Sequence, residues 1–415
     1  MTKTRGLLVR IDRAAGGLAA DLGLYLISAA FALLTALSST LLPHRAWGAV
    51  AAWGYLVAAL IVTTQLVLRR PAGRALLAWA TYAAVVLLPL VIQAVQRANG
   101  RTDRAQEEVV VVEHMGESLL HSGTPYLSRA EIAAIPLDER LLGYRPYQPG
   151  MAIFGLPRAV AGEHWWTDAR IWFAITTVVA LGAAVTLLRS SRSSRVRAIQ
   201  AATVLPVTAL TLATGGDDIP VLALCLLALA LAGAGRYGWS GAAIGAAAAC
   251  KLFALPVLAV LAVLAVTTGN WRRFLPPALG LPLLALLPPL LADPDALVEN
   301  VLRFPLGHGL VTSPAQSPFP GYLIAQSLPG GRVIAAGLLV AAAAVIGLLL
   351  LRRPPRSAAT AALFCGYGLL TAILLMPTTR FGYLLYPAAL LVWATALSNH
   401  TATTAPRHDT ALYRQ

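Results

Sequence analysis

The chain has 415 residues, of which 58% are hydrophobic and only 12% are charged, with a mean hydropathy of +0.70. Soluble domains carry about 25% charged residues and disordered chains have low hydrophobicity, so this composition excludes a soluble enzyme and a disordered protein. The formal net charge of +14 would suggest a nucleic-acid partner in a soluble chain. Here the arginines flank apolar segments, as in membrane proteins, so we expect no nucleic-acid partner.

Apolar runs of membrane-spanning length follow one another along the chain. A bilayer core about 30 Å thick requires roughly 20 apolar residues per helix. Runs bounded by charges, proline or glycine predict spans at residues 22–42, 47–68, 75–95, 171–188, 219–235, 275–291, 333–351 and 357–375, with shorter runs at 198–213 and 381–397. The sequence therefore predicts an all-α, polytopic membrane protein in which residues 1–415 form a single integral membrane domain.

The apolar run at residues 240–267 is too long for one ordinary span and carries Lys251 near its middle, with Pro256 close behind. We interpret it as two short helices that meet at Lys251, which makes about twelve helical segments in all. Short cytoplasmic loops of membrane proteins hold an excess of Lys and Arg. Only two helices that meet at Lys251, rather than one span, keep the arginine-rich loop 352–356 on the cytoplasmic side. We therefore expect a plasma membrane protein with a cytoplasmic N-terminus and a cytoplasmic tail at residues 398–415.

Two connecting segments, which we call the first long loop (residues 96–170) and the second long loop (residues 293–332), are expected on the outer side. Ten of the 18 acidic residues lie between Asp103 and Asp168. Most connections run about 2 to 6 residues and long structured loops are usually functional, so we expect the functional site at this outer face. Residues 107–122 of the first long loop have helical spacing and end at Gly123, which predicts an amphipathic helix on the outer membrane surface.

Charged residues near the ends of the apolar runs are the first candidates for a site. Lys251 is an ionisable side chain in an apolar run, which favours a function near the outer lipid headgroups, with snorkelling to the interface as the alternative. Arg380, between the last two runs, either shares the function of Lys251 or anchors the chain at the interface. Asp217 and Asp218 precede a helix with an early proline, so they either cap that helix, face the site, or hold a divalent cation.

A series of short motifs in the first long loop resembles a known enzyme family. The motifs are an acidic residue at Glu108, then Leu-Leu-x-x-Gly-x-Pro-Tyr ending at Tyr126, then Tyr-x-Pro-x-x-Pro from Tyr144 to Pro149. This pattern resembles glycosyltransferase family 87. Many of its members are actinobacterial, polyprenyl-phosphate-mannose-dependent mannosyltransferases of the GT-C fold, and the Ala-, Leu- and Arg-rich, Lys-poor composition also looks actinobacterial.

The resemblance implies a membrane glycosyltransferase of the GT-C type that uses a polyprenyl-phosphate sugar donor from the membrane lipid. It would transfer a hexose, with mannose expected, to a glycan or glycolipid acceptor of the cell envelope on the outer face. The rival interpretation is a transporter or lipid flippase, for which intramembrane charges and broken helices are also expected. An inactive scaffold is the third alternative.

Such a transfer requires a carboxylate that takes the proton of the acceptor hydroxyl, and one carboxylate is enough for inversion. Glu108 is the first candidate for this base, with Glu107 and Glu113 as neighbouring competitors. Asp218 is its rival, since the family usually has Asp at the position of Glu108 and often Gly-Gln-x-Asn where this chain has Gly-Gly-Asp-Asp.

The departing phosphate requires positive charge, for which Lys251 and Arg380 are the candidates. The remaining candidates would contact the acceptor or the sugar, and they are Asp217, Glu113, Tyr126, Tyr144 and His308. We assign no residue as a metal ligand and expect no cofactor, although a divalent cation stays open.

Overall fold

The computed structural model describes residues 14–398, which are predominantly helical. In chain order the helices are α1 (Leu18–Ser38), α2 (Leu42–Val67), α3 (Arg74–Ala98), α4 (Glu107–Ser122), α5 (Arg129–Ala134), α6 (Leu156–Ala161), α7 (Ala169–Leu187), α8 (Arg192–Thr203), α9 (Pro206–Thr214), α10 (Asp218–Gly233), α11 (Tyr237–Cys250), α12 (Ala254–Thr267), α13 (Trp271–Ala292), α14 (Pro294–Val298), α15 (Pro320–Ser327), α16 (Gly331–Arg352), α17 (Ala358–Leu375) and α18 (Leu385–Leu397). Short 3-10 or π turns occupy Ala14–Gly17, Ala83–Leu87 within α3, Thr102–Arg104, Arg140–Gly143, Pro149–Phe154, Trp165–Thr167, Glu299–Arg303 and Phe381–Leu384.

Seven of the described helices are long and apolar enough to cross a membrane, or up to eight if the bent pair α8 and α9 forms one span. The shorter apolar helices α10, α12 and Phe381–Leu397 add to them. The prediction of an all-α, multi-pass membrane protein is confirmed. The tail was predicted at residues 398–415, and all of it except Ser398 lies outside the described residues.

The break that was expected at Lys251 is present. Helix α11 ends at Cys250, Lys251 is extended with φ −153° and ψ 142°, and α12 begins at Ala254. The run 198–213, in contrast, was predicted as one helix and is two. Helix α8 begins earlier, at Arg192, and the chain bends by 43° before α9. Pro206 is the first residue of α9, and a proline disfavours the helical conformation of the residue before it.

Close backbone contacts inside the bundle depend on glycine. A Cβ atom added at Gly241 of α11 would lie 2.2 Å from the carbonyl oxygen of Phe274, and one at Gly245 would lie 2.4 Å from that of Pro277. Small residues at such crossings allow helix backbones to approach in a membrane, where van der Waals packing drives association. Large apolar side chains such as Leu351 of α16 and Leu291 of α13 are exposed, as expected of a surface that faces lipid.

Helix α4 has the predicted bounds, and Gly123 ends it in the left-handed conformation with φ 72°. One side of this helix packs within the protein. The apolar side chains of Val109, Val112 and Met115 are buried within the protein, and a Cβ atom on Gly116 would lie 2.3 Å from the carbonyl carbon of Gly155. The chain therefore covers the apolar side of this helix with its own residues, and the position of the helix relative to the membrane surface stays a prediction.

The two long loops are joined through Glu299, which is 1% exposed. Its carboxylate accepts hydrogen bonds from Arg129 (2.7 Å) and from the hydroxyl of Tyr144 (2.9 Å). Burial acts to raise the pKa of Glu299, but these hydrogen bonds outweigh it and hold the pKa below its ordinary value. The side chain of Asn300 accepts a further bond from the backbone N–H of Arg145 at 2.8 Å. Glu299 therefore stays ionised and fixes the second long loop to the first.

Candidate functional site

A buried ion pair network forms at the break between α11 and α12. The ammonium group of Lys251 lies 2.9 Å from Oδ2 of Asp217 and 2.6 Å from Oδ1 of Asp218. Lys251 is 8% exposed, Asp217 4% and Asp218 7%. Charges that have lost this much solvent persist only when paired, which accounts for the two carboxylates around one ammonium group.

The local chain conformation turns both aspartates toward Lys251. Gly216 has a φ of +86°, which favours glycine, and α10 begins one residue earlier than the capping hypothesis required, at Asp218. Asp217 is the residue before the helix, but its side chain makes no capping hydrogen bond. The capping role for these aspartates was therefore wrong, because their carboxylates pair with Lys251. Snorkelling of Lys251 to the interface is also wrong, since its ammonium group points into the protein.

Aromatic rings surround the ion pair network. The Lys251 ammonium group lies 5.3 Å from the ring centroid of Tyr147 and 5.9 Å from that of Tyr383, within cation–π range. The hydroxyl of Tyr386 donates a hydrogen bond of 2.9 Å to Oδ1 of Asp218. Phe253 stacks on the Tyr386 ring at 5.3 Å. These rings hold the charged groups in one arrangement and exclude water from them.

A second ion pair, between Arg380 and Glu108, is more accessible. The Arg380 guanidinium donates a short hydrogen bond to the Glu108 carboxylate. The side chain of Arg380 is 39% exposed and that of Glu108 is 19% exposed. The neighbouring Glu107 is exposed and makes no ion pair with a described residue. A carboxylate and a cation thus lie side by side where a substrate can reach them.

Backbone hydrogen bonds tie the two ion pairs to the same framework. Gln106, two residues before Glu108, donates from its backbone N–H to the carbonyl of Thr214 at 2.9 Å. Thr214 lies three residues before Asp217, so this bond places Glu108 beside the aspartates. The backbone N–H of Gln148 donates to the carbonyl of Cys250 at 3.1 Å, next to Lys251. The first long loop is thereby fixed both near the two aspartates and next to Lys251.

Tyr147 lies between the two ion pairs. Burial, followed by the nearby charges of Asp217 and Glu108, raises the pKa of Tyr147 well above its ordinary value. Because a carboxylate of each ion pair lies near this one hydroxyl, we describe the two ion pairs together. We call this set the charge cluster, and its members are Glu108, Asp217, Asp218, Lys251 and Arg380.

Glu113 lies outside the charge cluster, in a separate network of ion pairs. Its carboxylate is 2.6 Å from the Arg97 guanidinium and 3.3 Å from that of Arg158. Arg97 also pairs with Asp168 at 3.2 Å. Burial would raise the pKa of Asp168, but the adjacent Arg170 guanidinium and Arg97 outweigh it and hold that pKa well below its ordinary value. Glu113 is thus engaged in holding α3, α4 and α7 together.

The other predicted binding residues occupy three different surroundings. Tyr126 is buried, and its hydroxyl donates to the backbone carbonyl of Tyr147 at 2.8 Å. This bond holds Tyr147 next to the charge cluster. Tyr144 stacks on Phe304 at 4.1 Å and binds Glu299. His308 is exposed in the second long loop, and only its backbone is in contact with Arg129 and Arg303.

Three tyrosines of the site were missed by sequence reasoning, namely Tyr147, Tyr383 and Tyr386. Each lies close in sequence to a residue that was identified. Tyr147 belongs to the same Tyr-x-Pro-x-x-Pro segment as Tyr144, and the other two follow Arg380 by three and six residues. Aromatic residues near an isolated charge in an apolar chain were the available signal.

Among residues 14–398, no group of three or more His, Cys, Asp or Glu side chains is arranged to hold a metal ion. Asp217 and Asp218, which were the candidates for a divalent cation, are both paired with Lys251.

The fold and the charge cluster define a multi-pass membrane protein with a polar site where shorter helices meet two long loops. Residues 146–377 match the sequence model of glycosyltransferase family 87. This match covers more than half of the chain, which therefore belongs to glycosyltransferase family 87, and its all-helical architecture agrees with the GT-C-type fold that this family implies. The matched residues include Tyr147, Asp217, Asp218 and Lys251, whereas Arg380 lies three residues after them and Glu108 lies 38 residues before them.

Two solved structures share a limited similarity with this chain. The crystal structure of ArnT from Cupriavidus metallidurans bound to undecaprenyl phosphate has a TM-score of 0.45 and 16% identity, over 76% of this chain and 59% of that chain. The apo state of the same ArnT has a TM-score of 0.40 and 18% identity, over 70% of this chain and 54% of that chain. This chain thus spans little more than half the length of these structures. No curated protein matches it in sequence.

Proposed function

We propose that this protein is a membrane glycosyltransferase that transfers a hexose from a polyprenyl-phosphate sugar to a glycan or glycolipid acceptor of the cell envelope. The family assignment supports the class of reaction. Mannose as the sugar follows from the resemblance to polyprenyl-phosphate-mannose-dependent enzymes, and the outer face follows from the distribution of arginines and carboxylates.

The observation that carries this proposal is the pairing of Glu108 with Arg380 at the accessible edge of the charge cluster. A transfer that inverts the anomeric carbon requires a base for the acceptor proton and a cation for the leaving phosphate. Glu108 and Arg380 supply one of each at adjacent positions.

Accessibility supports Glu108 rather than Asp218 as the base. The side chain of Glu108 is 19% exposed, whereas that of Asp218 is 10% exposed and is bonded to Lys251 and to Tyr386. Accessibility likewise supports Arg380 rather than Lys251 as the phosphate ligand. The Arg380 side chain is 39% exposed, whereas that of Lys251 is 9% exposed and two carboxylates neutralise it. We therefore propose Glu108 as the base and Arg380 as the main phosphate ligand.

In the proposed reaction, the acceptor hydroxyl oxygen bonds to the anomeric carbon while the bond from that carbon to the phosphate oxygen breaks. The hydroxyl proton moves to the Glu108 carboxylate, and the negative charge that grows on the leaving phosphate is stabilised by Arg380. Asp217, Asp218 and Lys251 hold Tyr147 and the ends of α10 and α12 in place behind the reacting groups.

The test is sugar transfer from radiolabelled polyprenyl-phosphate-mannose to octyl mannoside, in membranes that contain equal amounts of each variant. Glu108→Gln should lower the rate by about 100-fold or more, since a general base contributes about 10²–10⁴-fold. Glu107→Gln is the matched control, because it neutralises the adjacent exposed carboxylate and should leave the rate unchanged. Full activity of Glu108→Gln would contradict the assignment of the base. Movement of the labelled lipid across the membrane without sugar transfer would contradict the enzyme and favour a flippase.

A further inference from the structure

The second long loop is bonded to the segment that carries Arg380. Residues 376–384 connect α17 to α18, and Arg380 lies in the middle of them in an extended conformation, with φ −127° and ψ 144°. Gln316 and Thr379 form a parallel β-bridge, in which the Thr379 N–H donates to the Ala315 carbonyl at 3.0 Å. The residue before Arg380 is therefore held by a loop that is distant in the sequence.

Ser317 makes two hydrogen bonds in this region, one on each side of Arg380. Its backbone N–H donates to the carbonyl of Thr379 at 2.9 Å, and its hydroxyl oxygen accepts from the backbone N–H of Phe381 at 2.9 Å. Thr379 and Phe381 are the chain neighbours of Arg380. One residue of the second long loop thus fixes the backbone on both sides of this arginine.

The hydroxyl group of Ser317 takes the place of a backbone acceptor. In a regular parallel ladder, the carbonyl of Ser317 would accept from the N–H of Phe381. That carbonyl instead accepts from the N–H of Phe319 at 2.7 Å, in a tight turn centred on Pro318. The Phe381 N–H is therefore held by a side chain, and replacement of Ser317 by alanine removes this bond without a change in the backbone.

The guanidinium group of Arg380 has donors available for a phosphate. Among the described residues only its Nη1 group is hydrogen-bonded, to the Glu108 carboxylate, so its Nε and Nη2 donors are unused. The side chain is 39% exposed. Arginine binds phosphate through two donors in a fixed fork, so the direction of the side chain determines whether both donors reach phosphate oxygens. A shift of the backbone at residue 380 therefore weakens the binding of a phosphate.

We propose that Ser317 is a positioning residue for the donor phosphate and that it acts through Arg380. Its two hydrogen bonds hold the backbone of residues 379–381, and this backbone directs the guanidinium toward the phosphate that leaves the sugar. The inference rests on the proposed function, because it assigns the support of the proposed phosphate ligand. It makes the second long loop a part of the donor site, although Ser317 itself does not contact the donor.

The test is the binding of a fluorescent polyprenyl phosphate to the full-length protein in lipid nanodiscs. The matching polyprenol, which lacks the phosphate, is the reference lipid. Ser317→Ala should weaken binding of the phosphate about two- to tenfold, the range that corresponds to one hydrogen bond, and should leave binding of the polyprenol unchanged. Ser317→Thr keeps the hydroxyl and should bind like the wild type. Ser327→Ala is the matched control, since Ser327 is exposed at the end of α15.

A double variant separates positioning from general damage to the fold. If Ser317 acts through Arg380, its effect must disappear once the guanidinium is removed, because the effects of coupled residues are not additive. Arg380→Gln should weaken phosphate binding more than Ser317→Ala does. The combination of Ser317→Ala with Arg380→Gln should bind no more weakly than Arg380→Gln alone.

Three results would overturn the inference. They are additive losses in the double variant, an equal loss of polyprenol binding in Ser317→Ala, and phosphate binding by Arg380→Gln that equals that of the wild type. Because the binding assay contains neither a sugar nor an acceptor, it separates this inference from the proposed function. The expected pattern of binding in a protein that transfers no sugar would refute the proposed function and leave Ser317 as a positioning residue for a phosphate ligand.

Discussion

The ammonium group of Lys251 lies 2.6 Å from a carboxylate oxygen of Asp218, and both groups are buried at the break between α11 and α12. A second carboxylate, that of Asp217, is 2.9 Å away. Buried ion pairs of this kind contribute little net stability compared with apolar packing, but removal of one partner leaves an uncompensated charge. The relationship therefore matters more for the shape of the site than for the total stability of the fold.

Lys251→Met should destabilise the protein strongly, because two buried carboxylates lose the only cationic partner that they have among the described residues. We expect a loss of about 3–5 kcal/mol, measured as a lower Tm and a lower yield in detergent. Met is apolar and similar in length, so the change is chiefly in charge. The triple variant Lys251→Met, Asp217→Asn, Asp218→Asn should recover most of the loss, because it removes the carboxylates together with their partner. A single variant as stable as the wild type would show that the three charges do not depend on one another.

Protonation of Glu299 should release the second long loop. The pKa of Glu299 is held below its ordinary value in the folded state, so its stabilising effect is fully present above the ordinary pKa of about 4.3 and is lost as the pH falls through the lower folded value. Between pH 5 and 8, Glu299 should therefore cause no change in the stability of the second long loop.

Glu299→Gln imitates the protonated acid at pH 7 and allows the same test under mild conditions. Hydrogen exchange of residues 304–311 should become faster, because Arg129 and Tyr144 lose a charged acceptor. Asp295→Asn is the control, since that carboxylate is exposed and four residues away. Unchanged exchange in Glu299→Gln would show that other contacts hold the loop.

A methyl group at Gly116 should disturb the packing of α4 beneath the site. The added Cβ atom would lie 2.3 Å from the backbone of Gly155, so the two segments must separate, at a cost of about 1–3 kcal/mol. Gly182, within α7, has nothing within 4 Å of its added Cβ atom. Gly182→Ala should therefore be neutral or more stable by about 0.5–1 kcal/mol, as is usual for Gly to Ala in a helix. Thermal unfolding in detergent compares the two, and equal Tm values would contradict the close contact.

Periodicity and charge predicted most of the helical framework. The apolar runs located the spans, and the combination of Lys251 with Pro256 located the break, because an ionisable residue in an apolar run is costly unless the chain provides partners. The five charged residues of the charge cluster were all identified as candidates, since isolated charges stand out in such an apolar sequence.

The ion-pair partner of each charged residue could not be predicted in the same way. Glu113 and Glu108 lie in the same helix, and only the fold shows that Arg97 and Arg158 surround the first whereas Arg380 meets the second. The tyrosines of the site carry no charge, so an apolar sequence conceals them. The capping hypothesis for Asp217 and Asp218 used local sequence alone, and a partner 34 residues away, Lys251, outweighed it.

The proposed orientation predicts which residues a membrane-impermeant thiol reagent can reach. The three native cysteines, Cys225, Cys250 and Cys365, are buried, so the background labelling should be low. Asp138 in the first long loop and Arg353 after α16 are both exposed. In intact cells Asp138→Cys should be labelled, whereas Arg353→Cys should be labelled only after the membrane is permeabilised, because arginine-rich short loops remain in the cytoplasm. The reverse pattern would place the charge cluster on the cytoplasmic side. The sugar of the donor lipid would then have to lie on the cytoplasmic face, contrary to the proposed orientation.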